Sequence, residues 1–169
     1  SSTELEFIQI TSLVRSNYGS SNLNIYISPV DIPAISDIDN DGDLDVLTFS
    51  ILGGFVEYHK NLSMELYKNC DSLVFELAES CWGIFYEGLN TYILNCPNCQ
   101  CPQINSNNPE HKKDKHAGST LLAIDIDNDN DKDLVLGDIS YNNLNLLINA
   151  FQKNLLFLKI VYMNFFEYQ

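Results

Sequence analysis

Asp37-Ile38-Asp39-Asn40-Asp41-Gly42-Asp43-Leu44-Asp45 sets five aspartates at alternate positions of a nine-residue stretch. The pattern returns as Asp125-Ile126-Asp127-Asn128-Asp129-Asn130-Asp131-Lys132-Asp133. Carboxylates packed this closely repel one another unless a cation sits among them. A site made of oxygen ligands alone suits a hard divalent ion. Ca²⁺ fits better than Mg²⁺, because it accepts about six to eight oxygens in loose geometry.

A tight loop turns its first, third and fifth side chains inward. The sixth position needs a positive φ, which Gly supplies and Asn tolerates. Gly42 and Asn130 stand there. The seventh residue of such a loop binds through its carbonyl. Asp37, Asp39, Asp41 and Asp45 are therefore expected as side-chain ligands, with Asp43 acting mainly through its carbonyl. The second set is Asp125, Asp127, Asp129 and Asp133, with the carbonyl of Asp131. The expectation is two Ca²⁺ sites. An EF-hand starts the same way, but it requires a Glu at the twelfth position and flanking helices. Thr48 and Leu136 occupy that position, and the flanks are β-prone. An acidic, solvated turn without an ion remains the bland alternative, and the duplication argues against it.

The copies extend beyond the loops. Asp45 to Asn61 and Asp133 to Asn149 both span seventeen residues, and a constant offset of 88 residues relates them without a gap. From Asp37 and Asp125 onward, nine of 25 aligned positions are identical. In the first copy Val46–Leu52 reads as a strand, Gly53-Gly54 as a hairpin turn and Phe55–Lys60 as the return strand. In the second, Leu134–Ile139 and Leu144–Ile148 are the strands, and Tyr141-Asn142-Asn143 holds the turn. A self-similar strand-loop-strand unit marks a repeat architecture.

Elsewhere the reading is also β. Partial alternation through Leu5, Phe7, Ile8 and Ile10 predicts a strand over residues 4–15. Leu23–Ile27, Leu73–Ala78 and Thr91–Leu94 predict shorter ones. No helical period exceeds about two turns. Residues 95–116 read as a long surface loop.

The totals bound the rest. A chain of 169 residues that is 45% hydrophobic can fold as one ordinary domain. Ten of its 23 Asp and Glu residues lie in the two loops. The net charge of −14 would fall to about −10 with two bound divalent ions. Nine Lys and Arg without a basic cluster argue against nucleic-acid binding and against an anionic membrane surface. No apolar run is long enough for membrane insertion. Ser1 opens a polar stretch without a signal-peptide pattern or an initiator Met, which reads as a mature product or a fragment.

Asp-x-Asp-x-Asp-Gly-Asp-x-Asp, then a strand, a Gly turn and a strand ending in Asn, resembles the FG-GAP/VCBS repeat. That is the calcium-loop repeat of integrin α-chain β-propellers and of many secreted bacterial proteins. His116-Ala117-Gly118-Ser119-Thr120 before Leu121–Asp125 resembles the lead-in of that repeat, and Leu134–Asp138 its strand end. The likeness covers residues 31–61 and 116–149. It implies an all-β fold, a partial β-propeller of about two blades with a Cys-containing insertion between them. The implied divisions are leading strands or the end of a preceding blade (1–30), a first blade (31–80), the insertion (81–115), a second repeat (116–149) and an atypical tail (150–169). Asn130 in place of the loop Gly, the Gly-free second turn and the long offset depart from the family pattern. A propeller needs at least about four blades, so further blades of a longer chain are expected. The tail, rich in Phe, Leu, Ile and Asn, reads either as a corrupted or frame-shifted end or as an ordinary strand or helix.

Cys70, Cys81, Cys96, Cys99 and Cys101 all fall between the loops, an odd number. Disulfides within the insertion are favoured over zinc held with His111 or His116, and over free thiols. His59 reads as a strand side chain. Trp82, Phe85 and Tyr86 read as packing rather than a sugar platform. No nucleophile, general-base or phosphate-loop constellation is present, so no catalytic residue is expected. The expected function is a non-enzymatic, calcium-binding scaffold of an exported or cell-surface protein, serving protein or glycan recognition. The alternatives are an accessory domain of a secreted polysaccharide-acting enzyme and a calcium-responsive sensor.

Overall fold

A computed structural model describes residues 6–51, 53–89, 91–94, 119–149 and, for the backbone, 159–164. Cys96, Cys99, Cys101, His111 and His116, the first three residues of the second repeat's lead-in, and most of the tail lie outside the described residues. The chain is all-β, and its sheets are open.

The first sheet has six strands: β1 (Arg15–Asn17), β2 (Asn22–Asn24), β3 (Ala34–Ser36), β4 (Asp45–Phe49), β5 (Val56–Asn61) and β6 (Phe75–Glu79). Their order is β2-β1-β6-β5-β4-β3, and all neighbours run antiparallel except β1 and β6. The leading strands thus extend the sheet that carries the first loop. A two-stranded ribbon follows, β7 (Phe85–Gly88) with β8 (Thr91–Leu94). The second repeat forms β9 (Ser119–Ile124), β10 (Asp133–Asp138) and β11 (Asn143–Ile148), and β12 (Lys159–Asn164) adds beside β11. The only helix among the described residues is the five-residue α1 (Ser63–Tyr67), apart from a 3₁₀ turn at Trp82–Ile84.

The hairpins form where the sequence places them. Gly53 and Gly54 both take φ near 76°, at 77° and 75°. Gly54 is also a point of close approach: a Cβ there would lie 2.2 Å from the Tyr86 ring. Its carbonyl accepts the N–H of Glu87 at 2.8 Å, which joins the turn to β7. Of the described part of the expected strand over 4–15, only Arg15 lies in a strand, as the first residue of β1. Residues 6–14 form no strand, although the Val14 carbonyl accepts the Ile25 N–H at 2.9 Å, and Phe7 and Ile10 are 87% and 85% exposed. Apolar content there meets no partner strand, and an unpaired backbone gains nothing from extended conformation.

Strand β4 is buried along its whole length. Successive side chains point to opposite faces. Leu47 and Phe49 enter the main core, while Val46 packs with Ile25 and Phe75 on the other side. The main core takes residues from both repeats: Leu47, Phe49 and Val56 from the first, Leu121, Leu134, Leu136 and Leu147 from the second. Trp82 packs against it, Phe85 lies within it, and Tyr86 meets Phe55 edge-on at 5.1 Å. These aromatics are packing residues, as expected. His59 is a buried side chain of β5, with Nδ1 2.9 Å from Ser16 Oγ.

The repeats also meet through equivalent residues. Ile32 and Thr120, 88 positions apart, form a parallel bridge. The Ile32 N–H donates to the Ser119 carbonyl at 3.0 Å, and the Leu121 N–H donates to the Ile32 carbonyl at 2.9 Å. Equivalent edges therefore face each other.

Candidate metal centres

The two aspartate loops have one conformation. Asn40 and Asn128 take φ of 62° and 61°, and Gly42 and Asn130 take 104° and 72°. The sixth position needs a left-handed backbone in both copies, which explains Gly in one and Asn in the other. Side chains then bond backbone in matching pairs. Asp37 accepts the N–H groups of Asp41 and Gly42 at 3.1 and 3.2 Å. Asp125 accepts those of Asp129 and Asn130, both at 3.1 Å. Asp41 accepts the Asp43 N–H at 3.1 Å, and Asp129 accepts that of Asp131 at 3.3 Å.

The ninth position closes each loop onto its sheet. Asp45 is fully buried and accepts the N–H of Ile38 and of Asn61, both at 2.8 Å. Asp133 is fully buried and accepts those of Ile126 and Asn149 at 2.9 and 2.8 Å. This explains the Asn that ends both copies: its backbone is the far anchor of the loop. Asp45 also accepts the Tyr58 hydroxyl at 3.3 Å.

Among the described residues, three groups of acidic oxygens converge within 4.8 Å: Asp37 with Asp39 and Asp41, Asp41 with Asp43 and Glu65, and Asp125 with Asp127 and Asp133. These clusters can hold a metal ion. All ten aspartates named from the sequence lie in the two loops, though they divide the work unevenly. The Asp43 side chain, beside the carbonyl expected to act, is buried: Oδ2 accepts the N–H of Met64 at 2.8 Å, while Oδ1 is buried without a hydrogen-bond partner. Both side-chain oxygens of Asp131 are likewise buried and unpartnered. A buried carboxylate oxygen without a donor is costly, and a cation offsets that cost. The residues present therefore fit a hard divalent ion.

The electrostatics agree. Burial pushes Asp45 up to about 6, against the N–H groups of Asn61 and Ile38, which favour the charged form. Burial and the neighbouring Asp129 push Asp131 up to about 6. Asp41 is also raised, first by burial. Such shifts are those of carboxylates that are buried and, in smaller part, crowded by one another.

The first loop has an internal cation. Lys60 on β5 pairs with Asp39 and Glu65, and its Nζ lies 3.6 Å from Asp41 Oδ2. Partial burial works against the ammonium, but the bonds to Asp39 and Glu65 outweigh it and hold its pKa above the usual lysine range. Nothing in the spacing of the sequence marks Lys60 or Glu65. Glu65 sits on α1, and only the turn after β5 brings it to the loop. The loops also touch: Asn40 Nδ2 donates to the Asn130 carbonyl at 2.8 Å, and Lys132 Nζ donates to Asn40 Oδ1 at 2.7 Å.

Cys81 is disulfide-bonded, and Cys70 is exposed and free. The zinc alternative for the insertion, the less favoured one, rests on residues outside those described. No protein-family model, curated protein sequence or solved structure matches the chain.

Proposed function

We propose that the chain is a non-enzymatic, calcium-binding segment of a β-propeller, a scaffold for protein or glycan recognition in an exported or cell-surface protein. The observation that carries this reading is the pair of loops with one conformation, matching hydrogen bonds and buried carboxylate oxygens that lack donors. Ca²⁺ is the ion whose ligand number and tolerance of irregular geometry match such a set. Asp37, Asp39, Asp41 and Asp43 would hold the first ion, and Asp125, Asp127, Asp129, Asp131 and Asp133 would stand around the second. Asp45 and Asp133 would also fix the loops through the backbone N–H groups they accept. The ions would stabilise the fold by binding its folded form alone.

The parallel bridge between Ile32 and Thr120 supports the propeller reading, since equivalent inner edges of successive blades would meet in this way. The open sheets would pair with further blades. The disulfide at Cys81 supports export, because such bonds persist in oxidising compartments. The test is a calorimetric scan of the chain with Ca²⁺ and with EDTA. Chelation should lower the melting temperature, and Asp41→Ala or Asp129→Ala should reproduce the shift in Ca²⁺. A scan unchanged by EDTA would sink the reading.

A further inference from the structure

The two loops share a backbone but not a charge environment. Lys60 extends from β5 into the first loop, where its ammonium bonds Asp39 and Glu65 and stands 3.6 Å from Asp41 Oδ2. Two of those carboxylates belong to the Asp37, Asp39 and Asp41 group, and the Asp41 and Glu65 pair belongs to the group with Asp43. Asp43, 1% exposed, completes that second group with a buried Oδ1 that has no hydrogen-bond partner. A cation thus already sits between carboxylates of both groups, while Asp43 Oδ1 remains unserved. The residue aligned with Lys60 in the second copy, 88 positions on, is Ile148. The other nearby amine, Lys132, is bonded to Asn40.

We propose that Lys60 is a tethered cation that occupies the first loop in place of a divalent ion and swings out when one binds, so that the two calcium sites are inequivalent. The idea rests on the calcium reading above. Three carboxylates around one ammonium have already lost much of their mutual repulsion. A divalent ion entering there must break the Lys60 pairs or coexist with a positive charge a few ångströms away. The second loop has Ile148 at the place of Lys60, so no lysine enters it from that strand position. Asp43 Oδ1 and Glu65, once released, are free to join the incoming ion, which makes the first site a carboxylate-rich site closed by its own lysine.

The experiment is calorimetric titration of the full chain with Ca²⁺, for the parent, Lys60→Met and Asp127→Ala. The parent should show two classes of site. Lys60→Met should tighten one class by about tenfold, the scale of removing one charge near a divalent ion in a partly solvated loop, and leave the other unchanged. Asp127→Ala should weaken the class that Lys60→Met does not touch. A second measurement needs no variant. Lysine acetylation mapped by mass spectrometry should find Lys60 protected without Ca²⁺ and reactive with it, relative to the exposed Lys68. Calcium binding with Lys60 reactivity unchanged, or with Lys60→Met affinities equal to the parent's, would overturn the tethered cation alone. No binding heat in any of the three proteins would overturn the calcium reading itself.

Discussion

Asn40 donates from its side chain to the backbone carbonyl of Asn130, 2.8 Å away, and so fastens one aspartate loop to the other. Its own side-chain oxygen takes the Lys132 ammonium. Asn40→Gly removes both bonds and keeps the left-handed backbone, which Gly adopts without strain. It should lower stability by about 1 kcal/mol, the net worth of exposed hydrogen bonds of this kind. A thermal melt reads the change. A variant as stable as the parent would mean the two loops are held together by core packing alone.

Aspartates that close a loop should behave differently from those that only face an ion. Asp45→Ala leaves the N–H groups of Ile38 and Asn61 without acceptors in a buried place. It should cost about 3 kcal/mol or more, with or without Ca²⁺. Asp127→Ala, at an exposed position, should cost less in EDTA than in Ca²⁺, and Asp39→Ala in EDTA should cost no more than about 1 kcal/mol through its lost pair with Lys60. Urea unfolding of the three variants in EDTA makes the comparison. Equal losses for Asp45→Ala and Asp127→Ala in EDTA would contradict the assignment.

Gly54 is required by space as well as by backbone. A Cβ there would lie 2.8 Å from the Glu87 carbonyl oxygen, in addition to its clash with the Tyr86 ring. Gly54→Ala should destabilise the chain by about 3 kcal/mol. Gly19 also has a positive φ, yet nothing lies within 4 Å of its would-be Cβ. Gly19→Ala should cost only about 1 kcal/mol of backbone strain. Denaturant midpoints of the two variants that coincide would refute the packing argument.

Glu87 on β7 is 1% exposed and joins the ribbon to the second repeat: Oε1 accepts the Ser119 hydroxyl at 2.9 Å. Burial pushes its pKa from 4.5 to about 7, with the Ser119 bond opposing and the charges of Asp138 and Asp31 adding to the rise. The folded chain therefore binds this proton more tightly than the unfolded one. Stability is lost as pH rises from about 4.5 through about 7. Glu87→Gln mimics the protonated form. At pH 8 it should be more stable than the parent by about 3 kcal/mol, and near parity at about pH 5. Melts of both proteins in EDTA at the two pH values isolate this group. A difference that does not change with pH would remove Glu87 as its source.

Local chemistry made much of this chain readable in advance. The alternate aspartates, the Gly or Asn at the sixth position, the Gly53-Gly54 turn and the alternating strands all depend on neighbours within a few residues. Both loops and the hairpins that follow them could therefore be drawn from spacing alone, and the strand at Thr91–Leu94 was legible to the residue. Residues 6–14 have apolar content but no strand beside them to pair with. Whether a segment pairs is a property of what lies beside it, not of its own composition.

Tertiary structure decided how the loops are used. Asn40 meets Asn130 and Lys132 across some 90 positions, Lys60 reaches Asp39 across 21, and Asp45 finds Asn61 across 16. Each contact exists only because β-strands bring distant side chains within bonding reach, and no periodicity encodes it. The sequence alone determined that two crowded sets of carboxylates need a counter-charge, because like charges at fixed short spacing repel wherever they fold. Only the folded chain decided that the first set receives part of that charge from Lys60, whose place in the second copy is taken by Ile148.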